Sequence, residues 1–152
     1  RVTCVDKSAQ MLAKVQARLQ PTSLVDVNLV QADATQTSFD ASHYDVIVSL
    51  FFLDNFRAST LQALIPNLAE SLNNQGIWIL ADFREITQGS GTWRSRAWLW
   101  LMYRFFRLVT DIEADKLTDP TEFLEQTGLN LLEQYSFQNG FIVLETWQQE
   151  TH

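Results

Sequence analysis

The alternation of apolar and polar stretches along the chain predicts strands separated by helices. Four apolar runs have the length of strands, and they lie at 1–6, 27–32, 44–49 and 77–83. The core of the third run is continuously apolar, which is typical of a strand that is covered on both faces. Apolar residues recur at helical spacing over 11–19 and 61–72, so an amphipathic helix is expected at each of these places.

Residues with strong boundary preferences define where these elements begin and end. Ser8 can cap the first helix, on which Met11, Leu12, Val15 and Leu19 share one face. Pro66 lies inside the second helix and is expected to kink it or to move its start later. A polar turn at 73–76 is expected to stop that helix. Asp119 can cap a short later helix, with Pro120 at its first position, that Gly128 closes.

The end of the chain adds a feature that distinguishes among α/β folds. Apolar runs at 131–137 and 141–147 flank Asn139-Gly140, a pair typical of a two-residue hairpin turn. Parallel strands joined by helices form a sheet with helices on both faces, and a hairpin forces one antiparallel strand into it. We therefore predict a Rossmann-like three-layer α/β sandwich that forms a single domain over 1–152.

The amino-acid composition and net charge limit the kinds of partner that the protein is expected to bind. The 152 residues are 46% hydrophobic, enough for a real core, and carry a formal net charge of −7. An acidic surface repels phosphate backbones, so we expect no nucleic-acid partner. Cys4 is the single cysteine, which suits a reducing compartment and predicts a cytoplasmic location. No apolar stretch is long and charge-free enough to cross a bilayer.

Asp6 is the first candidate for binding chemistry. It ends the first predicted strand, and a carboxylate there holds the two ribose hydroxyls of nucleotides in many α/β sheets. The alternative role for Asp6 is to cap the following helix. No initiator Met and no Gly-rich turn precede this strand, so we expect a nucleotide-cofactor domain that lacks its first strand.

Four segments carry a family resemblance. VDKSAQML at 5–12 resembles the "VDxSxxML" segment of class I S-adenosylmethionine-dependent methyltransferases, and QADA at 31–34 resembles their "GDA" segment. YDVIVSLFFLD at 44–54 is similar to their "FDxIxS" strand and the loop beyond it. LNNQGIWIL at 72–80 resembles their "LxPGGxxxL" turn and strand, and the closing hairpin matches their reversed last strand. The resemblance covers nearly the whole chain and is closest to small-molecule methyltransferases.

The resemblance implies S-adenosylmethionine as the cofactor and assigns roles to residues. Asp6 is implied to bind the ribose, while Asp33 and the backbone of Ala34 are implied to contact the adenine. Lys7 replaces an apolar residue of the family, and its methylene stem can cover the adenine ring. Ser49 and Leu50 lie where the family's strand meets the sulfonium end of the cofactor. The cofactor-binding residues are thus expected to be Asp6, Lys7, Asp33, Ala34, Ser49 and Leu50.

The chemistry of methyl transfer leaves the catalytic residue open. The reaction depends mainly on alignment of the nucleophile, the methyl group and the sulfur, and it needs a base only where the acceptor has a proton to lose. Asp54, Asp82, Glu85 and Tyr103 are candidates for that base, and none is assigned. No Asn-Pro-Pro-Tyr segment follows Ser49, which argues against methylation of the amino groups of adenine or glutamine. The two histidines lack ligand-spaced partners, so no metal site is expected.

A helix rich in aromatic and basic residues is expected over 93–109. It is interpreted as a cap helix over the sheet, and Trp100 and Tyr103 are the candidate contacts to a substrate. The alternative is a surface helix that makes peripheral contact with lipid headgroups through its arginines.

The sequence therefore predicts transfer of a methyl group from S-adenosylmethionine to a small organic acceptor. One alternative is a non-catalytic interaction module of the same fold, and another is an NAD-dependent Rossmann oxidoreductase, which the terminal hairpin disfavours. Because the Gly-rich loop is absent, the 152-residue chain alone is expected to be inactive and to self-associate through its open sheet edge.

Overall fold

A computed structural model describes residues 1–19, 25–84 and 118–149 of the chain. Its internal contacts divide it into two compact units, Arg1–Phe39 and Asp40–His152. The single domain over 1–152 stays a prediction. The segments 20–24, 85–117 and 150–152 lie outside the described residues, and with them lie the predicted helix over 93–109, Trp100, Tyr103 and Glu85.

The first unit contains a strand, a helix and a second strand. These elements are β1 (Val2–Asp6), α1 (Ala9–Arg18) and β2 (Val27–Gln31), and the two strands pair in parallel. The predicted cap is confirmed, since the Met11 N–H donates to Ser8 Oγ at 3.3 Å. Of the four residues expected on one apolar face of the helix, only Leu12 is buried, and half of the Met11 side chain is exposed.

The second unit contains a four-stranded sheet. Its elements are β3 (Tyr44–Leu50), a 3₁₀ turn (Leu53–Asn55), α2 (Ala58–Glu70), β4 (Leu72–Phe83), α3 (Thr121–Gln126), β5 (Leu129–Phe137) and β6 (Ile142–Gln149). The strand order is β3-β4-β6-β5. β4 runs parallel to β3, and β6 runs antiparallel to both of its neighbours. The predicted reversed last strand is confirmed.

Pro66 lies inside α2 and does not move the start of this helix to a later residue. It begins at Ala58, eight residues before the proline, so a start moved later by Pro66 is wrong. A proline removes one backbone hydrogen bond, here to the carbonyl of Gln62 four residues earlier. Gln62 lies on the exposed face, where water can satisfy that carbonyl. The opposite face of the helix packs Leu61 and Ile65 into the core with no exposed surface.

The segment 73–76 belongs to a bulged strand start rather than to a separate turn. Tyr44 pairs with Leu72 and Val46 with Ile77, so β4 advances by five residues while β3 advances by two. Gln75 is one of the extra residues of β4, and it adopts a left-handed conformation with φ of +66°. A Cβ on Gly76 would lie 2.8 Å from the carbonyl oxygen of Asn73. Only glycine therefore fits this fold of the backbone.

The predicted end of α3 at Gly128 and the hairpin are confirmed, whereas Pro120 is the N-cap of α3 and not its first residue. Asp119 Oδ1 accepts the Thr121 N–H at 2.9 Å at the start of α3, and Gly128 follows that helix with φ of +80°. The β5–β6 hairpin is present, but a 3₁₀ turn at Gln138–Gly140 connects its strands. The connection is therefore longer than the predicted two residues.

Candidate functional site

The carboxyl ends of β1 and β2 lie side by side in the first unit. The parallel register pairs Asp6 with Gln31, and Asp33 follows β2 by two residues. The Gln31 side-chain amide also reaches the carbonyl of Lys7 at 3.5 Å. The two acids that the sequence proposed for cofactor binding are therefore placed at the same edge of the strand pair, where open α/β sheets bind ligands.

Asp6 uses one of its carboxylate oxygens to fix the entry into α1. Its Oδ1 accepts the Ser8 N–H at 2.7 Å in the turn that leads into α1, whereas the residue that caps the helix is Ser8. The other oxygen, Oδ2, accepts no hydrogen bond from the described residues. A carboxylate has lone pairs on both oxygens, so Asp6 keeps the capacity to accept from hydroxyl groups while holding the turn.

Asp33 is held in a turn that keeps it charged. Its Oδ1 accepts both the hydroxyl of Thr35 at 2.6 Å and the Thr35 N–H at 3.0 Å, and Lys7 Nζ lies 3.5 Å from its Oδ2. The Thr35 hydroxyl is the main cause that lowers the pKa of Asp33, with help from the Thr35 N–H and Lys7. Ala34 is half-buried in the same turn. The structure therefore brings Lys7, Asp33 and Ala34 together.

Ser49 and Leu50 end β3 in opposite environments. Ser49 is 6% exposed, and its Oγ accepts the indole N–H of Trp78 at 2.8 Å. Trp78 is completely buried, so this hydroxyl satisfies a core donor that would otherwise have no partner. Leu50 is largely exposed on the other face of the strand. The observed contact gives Ser49 a structural role, and its contact with cofactor stays a prediction.

Replacing Ser49 with alanine tests which role dominates. We expect the free energy of unfolding to fall by about 1–3 kcal/mol, because the Trp78 N–H loses its acceptor in the core. Urea unfolding of the wild type and the Ser49→Ala variant measures this loss. The Ser49→Thr variant keeps the hydroxyl and is the matched control. Equal stability of the alanine variant and the wild type would contradict the structural role.

The chain turns sharply after β3 through a left-handed residue. Phe51 has φ of +53°, an uncommon conformation for an aromatic residue. Its N–H donates to the carbonyl of Ala81 at 2.6 Å, and the next N–H, that of Phe52, donates to Asp82 Oδ1 at 2.9 Å. The Asn55 amide donates to the carbonyls of both phenylalanines. Several hydrogen bonds therefore hold this turn, including the left-handed Phe51, in place at the carboxyl ends of β3 and β4.

Two carboxyl groups of raised pKa lie at this turn. Burial, with a smaller contribution from the neighbouring Asp54 carboxylate, raises the pKa of Asp82 to about 7. Burial likewise raises the pKa of Asp54, which lies in the 3₁₀ turn, to about 6. The sequence offered both residues only among several candidate bases. The signal for Asp82 was an acid inside an apolar strand run, which is costly to bury without a chemical or structural reason.

Sequence reasoning missed a buried ion pair at the end of β4. Arg84 donates to Glu145 Oε2 and to Asp119 Oδ2, each at 2.7 Å, and Glu145 is 1% exposed. Gln134 and the Trp147 indole donate to the same Glu145 carboxylate. These contacts tie β4, β5 and β6 together. The partners are far apart in sequence, so no local pattern indicates the network.

The part of the chain that the structure describes has neither a metal-binding cluster nor a membrane-spanning helix. No group of three or more histidine, cysteine, aspartate or glutamate side chains is arranged to hold a metal ion there. Within the same residues, no helix has the length and hydropathy to cross a membrane.

Comparison with solved structures shows which known fold the chain adopts. An S-adenosylmethionine-dependent methyltransferase from Mesorhizobium loti matches 97% of this chain with 79% of its own, at a TM-score of 0.72 and 13% identity. One from Methanosarcina mazei matches 99% of this chain with 82% of its own, at a TM-score of 0.66 and 13% identity. A search of curated proteins found no match. The fold is that of the class I methyltransferases, as the sequence predicted.

The family follows from the sequence itself. A family model described as "Methyltransferase domain" matches residues 1–76, half of the chain. The chain therefore belongs to the methyltransferase-domain family, and the S-adenosylmethionine-dependent class that the motifs predicted is confirmed.

Proposed function

We propose that this protein transfers a methyl group from S-adenosylmethionine to a small organic acceptor. Family membership supports the cofactor and the reaction type. The observation that carries the assignment to residues is the pair Asp6 and Asp33 at the carboxyl edge of β1 and β2. The net charge of −7 supports a small molecule as acceptor over a nucleic acid, and the lone cysteine supports a cytoplasmic location.

The residues at this edge fit the cofactor chemically. Asp6 Oδ2 can accept from ribose hydroxyls, because only Oδ1 is used by Ser8. Asp33 stays ionised and can accept from the adenine amino group, with the Ala34 N–H beside it, while the Lys7 stem can lie along the ring. When bound, the cofactor supplies an electrophilic methyl group on a sulfonium. The residues of the chain hold and align the reactants, which lowers the barrier without covalent help.

Changing Asp6 to alanine tests the cofactor assignment. We expect binding of S-adenosylhomocysteine to weaken by about 1.5–3 kcal/mol, the range for a hydrogen bond to a charged group. Isothermal titration calorimetry measures the affinity, and circular dichroism checks that the fold persists after the Ser8 N–H loses its acceptor. Asp26→Ala is the control, because Asp26 is exposed and lies just before β2. Unchanged affinity in a folded Asp6→Ala variant would refute the assignment.

A further inference from the structure

The two oxygens of the Asp33 carboxylate have different surroundings. Oδ1 accepts the Thr35 hydroxyl at 2.6 Å and the Thr35 N–H at 3.0 Å. These two hydrogen bonds use both lone pairs of Oδ1. Oδ2 lies 3.5 Å from Lys7 Nζ, which is longer than the about 2.7–2.9 Å of a charge-assisted hydrogen bond. Oδ2 therefore keeps its capacity to accept a hydrogen bond from a ligand.

This carboxylate is both accessible and charged. The Asp33 side chain is 28% exposed, so a ligand at the carboxyl edge of β1 and β2 can reach it. The Thr35 hydroxyl is the main cause that lowers the pKa of Asp33 and the Thr35 N–H is the second, while burial opposes them by less. Lys7, in the turn after β1, adds to the lowering, and Asp6 ends the neighbouring strand.

Two threonines of the turn after β2 make different contacts with Asp33. The Thr35 hydroxyl donates to the carboxylate, whereas the Thr37 hydroxyl donates to the backbone carbonyl of Asp33 at 2.7 Å. The Gln36 N–H donates to the same carbonyl at 3.0 Å. The backbone of the turn thus has hydrogen bonds that do not involve the Thr35 hydroxyl. What this hydroxyl alone adds is the orientation and the charge of the carboxylate.

An ionised carboxylate of fixed orientation distinguishes between bases that differ in one group. Adenine carries an amino group, which can donate to the carboxylate. Hypoxanthine carries a keto oxygen at the same position, and its lone pairs repel a carboxylate oxygen. A carboxyl group that rotates or takes up a proton can instead donate to the keto oxygen, and the distinction between the two bases is then lost.

We propose that Thr35 is the positioning residue that makes Asp33 select an adenine base over a base with a keto oxygen. This inference rests on the proposed function and names what sets its base specificity. Thr35 acts through Asp33, because its hydroxyl and N–H occupy Oδ1 and leave Oδ2 to receive the amino group. The proposal requires no contact between Thr35 and the base.

The test compares two ligands that differ only in this group. Isothermal titration calorimetry at pH 7 measures the affinity for S-adenosylhomocysteine and for S-inosylhomocysteine, in which a keto oxygen replaces the amino group. The wild type should prefer S-adenosylhomocysteine by about 10-fold or more, the scale of a hydrogen bond to a charged group. Thr35→Val removes the hydroxyl and keeps the N–H, so this preference should fall by about threefold or more. Thr35→Ser should restore most of it.

A second readout needs no ligand. Carboxyl carbon NMR of the Thr35→Val variant should show a raised pKa of Asp33, because the hydroxyl is the main cause of its lowering. The affinity of this variant for S-adenosylhomocysteine should then begin to fall at a higher pH than that of the wild type. Thr37→Val is the matched control, since it removes a hydroxyl that bonds the backbone of Asp33. It should leave the base preference and the titration of Asp33 unchanged.

Each outcome decides the role of Thr35. An unchanged base preference or an unchanged titration of Asp33 in a folded Thr35→Val variant would overturn it, and so would an equal loss in Thr37→Val. Equal binding of the two ligands by the wild type would overturn it without any substitution, and would leave the proposed function intact. If the wild type binds neither ligand, the proposed function fails and this inference fails with it.

Discussion

Replacing Arg84 with methionine should destabilise the protein by about 3–5 kcal/mol. The change leaves the Glu145 carboxylate, which is 1% exposed, without the cation that lies 2.7 Å away. Removal of one partner of a buried ion pair is costly because the remaining charge stays in a medium that solvates it poorly. Urea unfolding at pH 7, followed by tryptophan fluorescence, measures the difference between the variant and the wild type.

Two further variants identify the cause of that loss. Adding Glu145→Gln to Arg84→Met removes the stranded charge and keeps an oxygen for the Trp147 indole, so most of the stability should return. Asp119→Asn weakens the exposed arm of the network, and it should cost less than about 1 kcal/mol. A loss in Arg84→Met no larger than that of Asp119→Asn would show that the buried pair does not matter.

Replacing Asp82 with asparagine should stabilise the protein by about 2–4 kcal/mol at pH 8. Burial raises the pKa of Asp82 from 3.8 to about 7, and one unit corresponds to about 1.36 kcal/mol. Above pH 7 the wild type must keep a charge in a buried site beside Asp54. The asparagine removes that charge and keeps the acceptor for the Phe52 N–H. Thermal and urea unfolding at pH 8 test the gain.

The pH dependence of the free energy of unfolding provides an independent test of this effect of Asp82. A carboxyl group whose pKa is higher in the folded state binds more protons folded than unfolded between about pH 4 and pH 7. Its contribution to the stability of the wild type is therefore full below about pH 4 and is lost as the pH rises towards 7. The Asp82→Asn variant should show a flatter profile over this range, whereas Asp45→Asn, at the exposed amino end of β3, should follow the wild type. A variant less stable than the wild type at pH 8 would contradict the argument.

The predictions for Arg84→Met and Asp82→Asn concern two buried acids, Glu145 and Asp82, that affect the stability of the fold differently. Glu145 is fully bonded, by Arg84, Gln134 and Trp147, and its charge is part of what holds three strands together. Asp82 has a buried oxygen without a partner and a neighbouring acid, and its hydrogen bond from the Phe52 N–H offsets only part of the cost of burial. Asp82 therefore destabilises the fold at neutral pH, whereas Glu145 stabilises it.

Local patterns in the sequence determined most of the elements and several of their ends. Strands at β1, β2, β3 and β4 follow from apolar runs of strand length. The expected cover on both faces is not seen for β3, where Val46, Val48 and Leu50 are exposed. Ser8 caps α1 as predicted, because its side-chain oxygen reaches a backbone N–H only three residues away. The reversed last strand follows from a short connection, since two strands joined so tightly must run antiparallel. The segments at 5–12, 31–34, 44–54 and 72–80, taken together with the hairpin, predicted the family.

Only the tertiary structure decided which side chains meet. Asp54 and Asp82 are 28 positions apart in the sequence, and they meet because β3 and β4 pair in a bulged register that five residues of β4 create against two of β3. The register of β3 with β4 also brings Ser49 into contact with Trp78 in the core, although the sequence around Ser49 had indicated a binding site. The Arg84–Glu145 pair depends on the antiparallel register of β4 with β6. Register between distant strands is set by the packing of the whole sheet, and a single strand's sequence does not contain it.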